Sequence, residues 1–225
     1  MEFSEMLFRA ACPNNDVIYD EHGKPSIMVY IPKFRMNQVI ENGSDMVHPA
    51  FIVNGVERDG FYISKYQNTE IDGSGYSLPG VMPRNDVDIV LSYEKSSNKG
   101  RGWHLTTVQE WGAVALWCQR NGHLPYGNND YGKDKRENVF RASPATSDEN
   151  GTKCVLTGTG PISWSHDNTV AGMWDMNGNL SEWIGGIRFV YGELQVMPNN
   201  DGADILNSQD TDSDKWRATT ANINT

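Results

Sequence analysis

The sequence predicts a mixed α+β fold with short strands, one clear amphipathic helix and much irregular loop. Three observations support this class: the apolar runs are short, helical periodicity is strong in one segment, and glycine makes up 22 of 225 residues. Seven tryptophans and nine tyrosines indicate aromatic anchors among the loops. No repeat or interdomain linker is visible, so we expect a polar N-terminal segment, 1–26, and one domain, 27–225.

Short apolar runs between turn residues predict five strands. They cover residues 27–31, 51–53, 60–66, 187–190 and 193–196. The third run alternates, so Phe61, Ile63 and Lys65 should share one face. Asn54-Gly55 and Tyr191-Gly192 supply hairpin turns.

The clearest helix is predicted over residues 107–120. Thr107 and Glu110 have the spacing of a capping box, and Asn121-Gly122 ends the helix. A shorter helix is predicted over residues 86–93. The stripe that should face the core consists of Val108, Trp111, Ala115 and Cys118.

Composition excludes several classes of partner. The formal charge is −10 and no basic cluster occurs, so no nucleic-acid partner is expected. No apolar run approaches the roughly 20 residues of a membrane span, and the acidic start of the chain does not predict a signal peptide. Expected locations are a bacterial cytoplasm or a virion. The three widely spaced cysteines predict buried, reduced thiols.

Four stretches in fixed order resemble the sulfatase-modifying-factor family, whose founding member is the formylglycine-generating enzyme. They are residues 28–32 (MVYIP), 60–66 (GFYISKY), 102–111 (GWHLTTVQEW) and 172–183 (GMWDMNGNLSEW). The second is similar to the family strand FYI.KYEVT, and the third to the helix entry G.RLPTEAEW. The fourth is the most specific, because it is similar to the signature GLYDM.GNVWEW. The resemblance implies a C-type-lectin-like fold of the formylglycine-generating-enzyme type.

Residues 172–183 combine two carboxylates with a turn-rich backbone. Asp175 and Glu182 supply hard oxygen ligands, and the glycine and asparagines between them let carbonyls point inward, which suits Ca²⁺. The resemblance implies a structural Ca²⁺ held by the side chains of Asp175 and Glu182 and the carbonyls of Gly178 and Leu180. Alternatively, both carboxylates accept backbone N–H bonds and hold the turn without a metal.

Two further cation candidates are weaker. A second family site would begin at Asn138-Val139, but its acidic partner is out of register, with Asp148 the nearest. Residues 210–214 alternate aspartate with other residues, yet Lys215 stands where a calcium loop needs glycine. We interpret residues 210–214 as a solvated acidic loop.

The chain lacks the catalytic cysteine pair of the resembled enzyme. That enzyme holds copper with two cysteines near its C-terminus, and this chain has no cysteine after Trp183. No nucleophile elbow or phosphate-binding loop occurs either. The sequence therefore predicts a protein that is not an enzyme. The alternative is a copper-dependent oxidoreductase related to the formylglycine-generating enzyme, with relocated ligands.

Catalytically empty proteins of this fold include phage structural or receptor-binding proteins and the variable proteins of diversity-generating retroelements. Residues 156–167 and 192–196 resemble that branch. The leading hypothesis is a receptor-binding or tail-associated protein of a phage or prophage particle, which displays a loop surface to a protein or cell-surface ligand. Assembly as a homo-oligomer and diversification by a retroelement are left open, as is a host-encoded ligand-binding module. The sequence predicts no closing strand before residue 225, so we expect the domain to be either incomplete there or divergent.

Overall fold

A computed structural model describes residues 3–137 and 139–219. In these residues the helices are α1 (Phe3–Ala11), α2 (Met36–Val39), α3 (Ile89–Ser97) and α4 (Val108–Arg120). The strands are β1 (Asn15–Tyr19), β2 (Pro25–Pro32), β3 (Ile52–Val53), β4 (Val56–Glu57), β5 (Gly60–Ser64), β6 (Thr69–Ile71), β7 (Ser74–Tyr76), β8 (Pro144–Asp148), β9 (Gly151–Val155), β10 (Ile187–Val190), β11 (Glu193–Val196) and β12 (Arg217–Ala218). Short 3₁₀ turns cover Pro49–Phe51, Ile162–Trp164 and Asp201–Ala203.

The strands pair antiparallel in small sheets. The main sheet has the order β1-β2-β5, a second sheet has the order β10-β11-β12, and the remaining strands form two-stranded hairpins. The described residues therefore form a mixed α+β structure of short strands without a barrel, as the sequence predicts. Strand β1 pairs along β2 from Asn15 to Tyr19, so this hairpin crosses the boundary predicted at residue 26.

Most of the predicted elements are confirmed. Strand β2 ends at Pro32, and the β10–β11 hairpin turns at Tyr191 and Gly192, both with positive φ. The short helix predicted over 86–93 is α3, which begins only after Asp88 because the Asp88 side chain caps it by accepting from Leu91 N at 2.8 Å. Each helix in the described ranges is too short or too polar to span a bilayer.

The main core lies between the β1-β2-β5 sheet and helix α4. Its buried members are Val29, Ile31, Phe34, Val39, Ala50, Phe51, Ile63, Ala113, Val114, Cys118 and Met173. A second cluster surrounds Trp164, which is fully buried and donates its indole N–H to Glu137 at 3.0 Å. The two clusters lie on either side of residues 173–174, so the 172–183 turn is anchored in both.

The buried face of α4 differs from the predicted stripe. Its buried residues are Glu110, Ala113, Val114 and Cys118. Of the predicted stripe of Val108, Trp111, Ala115 and Cys118, only Cys118 is buried, and Trp111 is 40% exposed. The prediction was wrong because it counted only apolar residues and so left Glu110 out of the buried face. Burying Glu110 rotates the helix by about one residue, or roughly 100°, which turns Trp111 outward.

Candidate functional site

A cavity of about 600 Å³ opens between strand β5, helix α3, the start of α4 and the 172–183 turn. Its walls come from segments that are distant in sequence, including residues 66–70, 83–84 and 99–106. Concave sites of this volume, built where several elements meet, are typical of ligand-binding sites. We therefore take this cavity as the candidate functional site.

Tryptophan is concentrated in the cavity wall. Four of the chain's seven tryptophans line it, Trp103, Trp111, Trp174 and Trp183. Trp111 and Trp183 remain 40% and 49% exposed. The Trp183 indole N–H donates to Val87 O at 2.8 Å, which orients its ring. The wall thus offers flat apolar surfaces that are open to a ligand.

The charged side chains of the cavity mostly have partners in the protein. Glu70 pairs with Arg84 Nε and Lys95 Nζ, each at 2.9 Å, and so joins the 83–84 segment to α3. The buried Lys99 ammonium lies 3.4 Å from the centroid of the Trp103 ring. Burial lowers the pKa of Lys99 to about 8. These contacts join separate segments of the cavity wall.

An ion pair between the half-buried His104 and the buried Glu110 forms part of the cavity wall. His104 Nε2 is 2.9 Å from Glu110 Oε1, and Glu110 also accepts from Thr107 N at 3.1 Å and Asn200 Nδ2 at 3.0 Å. Burial disfavours both charges, but their mutual attraction prevails, raising the pKa of His104 and lowering the pKa of Glu110. Asn200 also donates to Ala50 O at 2.9 Å, so this polar network ties α4 to two distant loops.

The structure turns Asp175, the first predicted calcium ligand, toward a different partner. Asp175 is buried with a φ of +62°, and its Oδ2 accepts from Gly158 N at 2.8 Å. Its Oδ1 has no hydrogen-bond partner among the described residues. Burial raises the pKa of Asp175 to about 6. The bond from Gly158 N is the kind expected under the alternative prediction, in which this carboxylate accepts a backbone N–H and holds the turn without a metal.

The other three predicted ligands meet at Gln67, a residue that sequence reasoning missed. Gln67 Nε2 donates to Leu180 O at 2.9 Å and to Gly178 O at 3.4 Å. Glu182 lies beside the Gln67 side chain and is open to the cavity, while the surrounding walls displace much of its water. This desolvation raises the pKa of Glu182 to about 7.

The turn docks on a second loop, residues 125–134, through its backbone. Asn179 N donates to Asn128 O at 2.9 Å. Two glycines permit this approach: a Cβ on Gly178 would lie 2.4 Å from Asn128 O, and a Cβ on Gly127 would lie 1.6 Å from Asn177 O. The position of the turn therefore depends on two residues that can have no side chain.

As arranged, three of the four predicted calcium ligands lie around the Gln67 amide, whose nitrogen donates to the two carbonyls. The fourth, Asp175, accepts from Gly158 N instead. No group of three or more His, Cys, Asp or Glu side chains within 3–137 and 139–219 is arranged for a metal ion. Calcium also binds carbonyls, so the calcium site stays a prediction. For the second candidate, Asn138 lies outside the described residues. Residues 210–214 are largely exposed, as predicted for a solvated loop.

The cysteines are free and buried, as predicted. Cys118 donates its S–H to His166 O at 3.2 Å, and burial raises its pKa to about 11. Burial raises the pKa of Cys154 as well. A Cu(I) site needs thiolates, so these surroundings disfavour the copper-dependent alternative at Cys118.

No protein-family model matches the chain, and no curated protein matches it significantly. The resemblance to the formylglycine-generating-enzyme family, and with it the C-type-lectin-like assignment, therefore rests on the four motifs and stays a prediction. The cavity, by contrast, is a property of the structure itself.

Proposed function

We propose that this chain is a binding protein without catalytic activity, and that its ligand occupies the tryptophan-lined cavity. The observation that carries this proposal is the gathering of four of seven tryptophans at one cavity, two of them with exposed rings. Aromatic side chains supply large contact areas at a small cost in conformational entropy. A few fixed polar groups among apolar walls are typical of ligand-binding sites.

Two of the three carboxylates that line the cavity are held in ion pairs, which supports a binding role for the cavity. Glu70 is neutralised by Arg84 and Lys95, and Glu110 by His104, so these side chains serve as fixed walls. None of the three cysteines is among the residues that line the cavity. A thiol-based oxidoreductase would need one there.

We place this binding protein in a phage or prophage particle, as a receptor-binding or tail-associated component. The support for this context is the sequence resemblance, and the ligand would be a protein or a cell-surface molecule. Tail or baseplate genes beside the coding gene would support it, and a reverse transcriptase with a template repeat would indicate diversification. A neighbourhood of host metabolic genes would favour the host-encoded alternative.

Alanine at Trp111 is expected to weaken ligand binding at least tenfold, whereas alanine at Trp117 should leave it unchanged. Both indoles lie on α4 and are 40% and 38% exposed, but only Trp111 lines the cavity. A buried aromatic anchor contributes about 2 kcal/mol or more to binding. Arrays of bacterial surface glycans and of peptides would supply a ligand, and titration followed by tryptophan fluorescence would give Kd.

The affinities can be compared only if both variants have the same Tm as the wild type. Equal affinities for all three proteins, or an equal loss in both variants, would contradict the placement of the ligand in the cavity. Absence of any binder on either array would count against the proposed function itself.

A further inference from the structure

Two backbone carbonyls of the 172–183 turn point at one side chain that lies outside it. The Gln67 amide nitrogen donates to Leu180 O at 2.9 Å and to Gly178 O at 3.4 Å. These are two of the four atoms expected to ligate calcium. Gln67 is 6% exposed, so water competes little for these bonds.

A backbone donor determines which end of the Gln67 amide faces the carbonyls. Val155 N can only donate, and it donates to Asn179 Oδ1 at 2.9 Å. The Asn179 amide nitrogen is thereby turned toward Gln67 Oε1, at 3.1 Å. With its oxygen engaged, Gln67 must direct its NH₂ group at the turn. The orientation thus follows from matching each donor to an acceptor across both amides.

We infer that the Gln67 side-chain amide holds the 172–183 turn at the point where a calcium ion would bind, so that the turn folds without a metal. A cation and an NH₂ group satisfy the same carbonyls, the first by charge and the second by two N–H donors. Both cannot occupy that point, because the N–H groups would face the cation with like polarity.

The amide also leaves the Glu182 carboxyl available to the cavity. A calcium ion bound by this turn would draw Glu182 into its ligand sphere. With Gln67 in that place, Glu182 lines the cavity beside Trp183 and is exposed to solvent there. Glu182 and Trp183 thus both line the site of the proposed ligand.

The test compares unfolding in EDTA with unfolding in millimolar Ca²⁺. The wild-type Tm is expected to be the same in both. Gln67→Met keeps the length of the side chain but removes its N–H donors, and it should lower Tm by about 4–10 °C in both buffers. Gln119→Met changes an exposed glutamine on α4 and should leave Tm unchanged.

A wild-type Tm that falls in EDTA and recovers with Ca²⁺, or stoichiometric Ca²⁺ binding by calorimetry, would overturn the inference. A Gln67→Met variant as stable as the wild type would overturn it as well. If that variant does not fold, Gln67→Glu provides the second test. Its carboxylate would face two carbonyls and Glu182, so its Tm should be low in EDTA and rise with Ca²⁺. Wild-type stability of Gln67→Glu in EDTA would contradict the role of the amide.

Discussion

Alanine at position 127 is expected to destabilise the fold by roughly 3 kcal/mol or more. The added Cβ would lie 1.6 Å from Asn177 O and 2.7 Å from the carbonyl carbon of the same residue. Backbone atoms cannot rotate aside as the end of a flexible side chain can. The 125–134 loop and the 172–183 turn would have to separate, which would break the 2.9 Å bond from Asn179 N to Asn128 O.

Gly112→Ala is the matched control for this substitution. Gly112 lies inside α4 and a Cβ there would meet nothing within 4 Å. Alanine is the better helix former, so this variant should gain about 0.5–1 kcal/mol. Urea unfolding of the two variants measures both effects. If the unfolding free energy of Gly127→Ala lies within about 1 kcal/mol of the wild-type value, the change is no larger than that of an ordinary surface substitution. That result would show that the two loops are not in close backbone contact.

Helix starts and hairpin turns that depend only on neighbouring residues were predictable from the sequence. The capping box of Thr107 and Glu110 starts α4 as predicted, and Tyr191-Gly192 turns the second hairpin. The stripe on α4 was not predictable, because it depends on a charged residue being buried. Glu110 can be buried because His104 and Asn200 bind its carboxylate, and Asn200 lies 90 positions away in the sequence. Periodicity counts apolar residues and cannot detect such pairing.

The candidate site was predictable only in part, for the same physical reason. The sequence indicated that the 172–183 turn is central, and the structure anchors it in both cores. Nothing local marks Gln67, whose amide bonds Leu180 across 113 positions, or Gly127, whose missing side chain accommodates Asn177. Glutamines and glycines are common in surface loops. Their roles here arise from contacts between distant segments, which a single sequence does not show.

Alanine at Glu110 is expected to cost about 3–5 kcal/mol of stability. The buried carboxylate accepts from Thr107 N, Asn200 Nδ2 and His104 Nε2, and truncation would leave these groups without an acceptor. Glu110→Gln keeps the size of the side chain and removes only its charge, so it should cost less. The exposed Glu41→Gln is the control for a loss of charge alone.

The charge of Glu110 should also give this pair a defined pH dependence. Since the pKa of Glu110 is lowered by folding, its contribution is complete above its ordinary value of 4.5 and is lost as the pH falls. Since the pKa of His104 is raised, its contribution is complete below 6.5 and is lost as the pH rises through the folded value. The difference in unfolding free energy between the wild type and Glu110→Gln should therefore be largest between these two values. Urea unfolding across a pH series measures it, and a difference that does not vary with pH would mean that the two groups are not paired as ions.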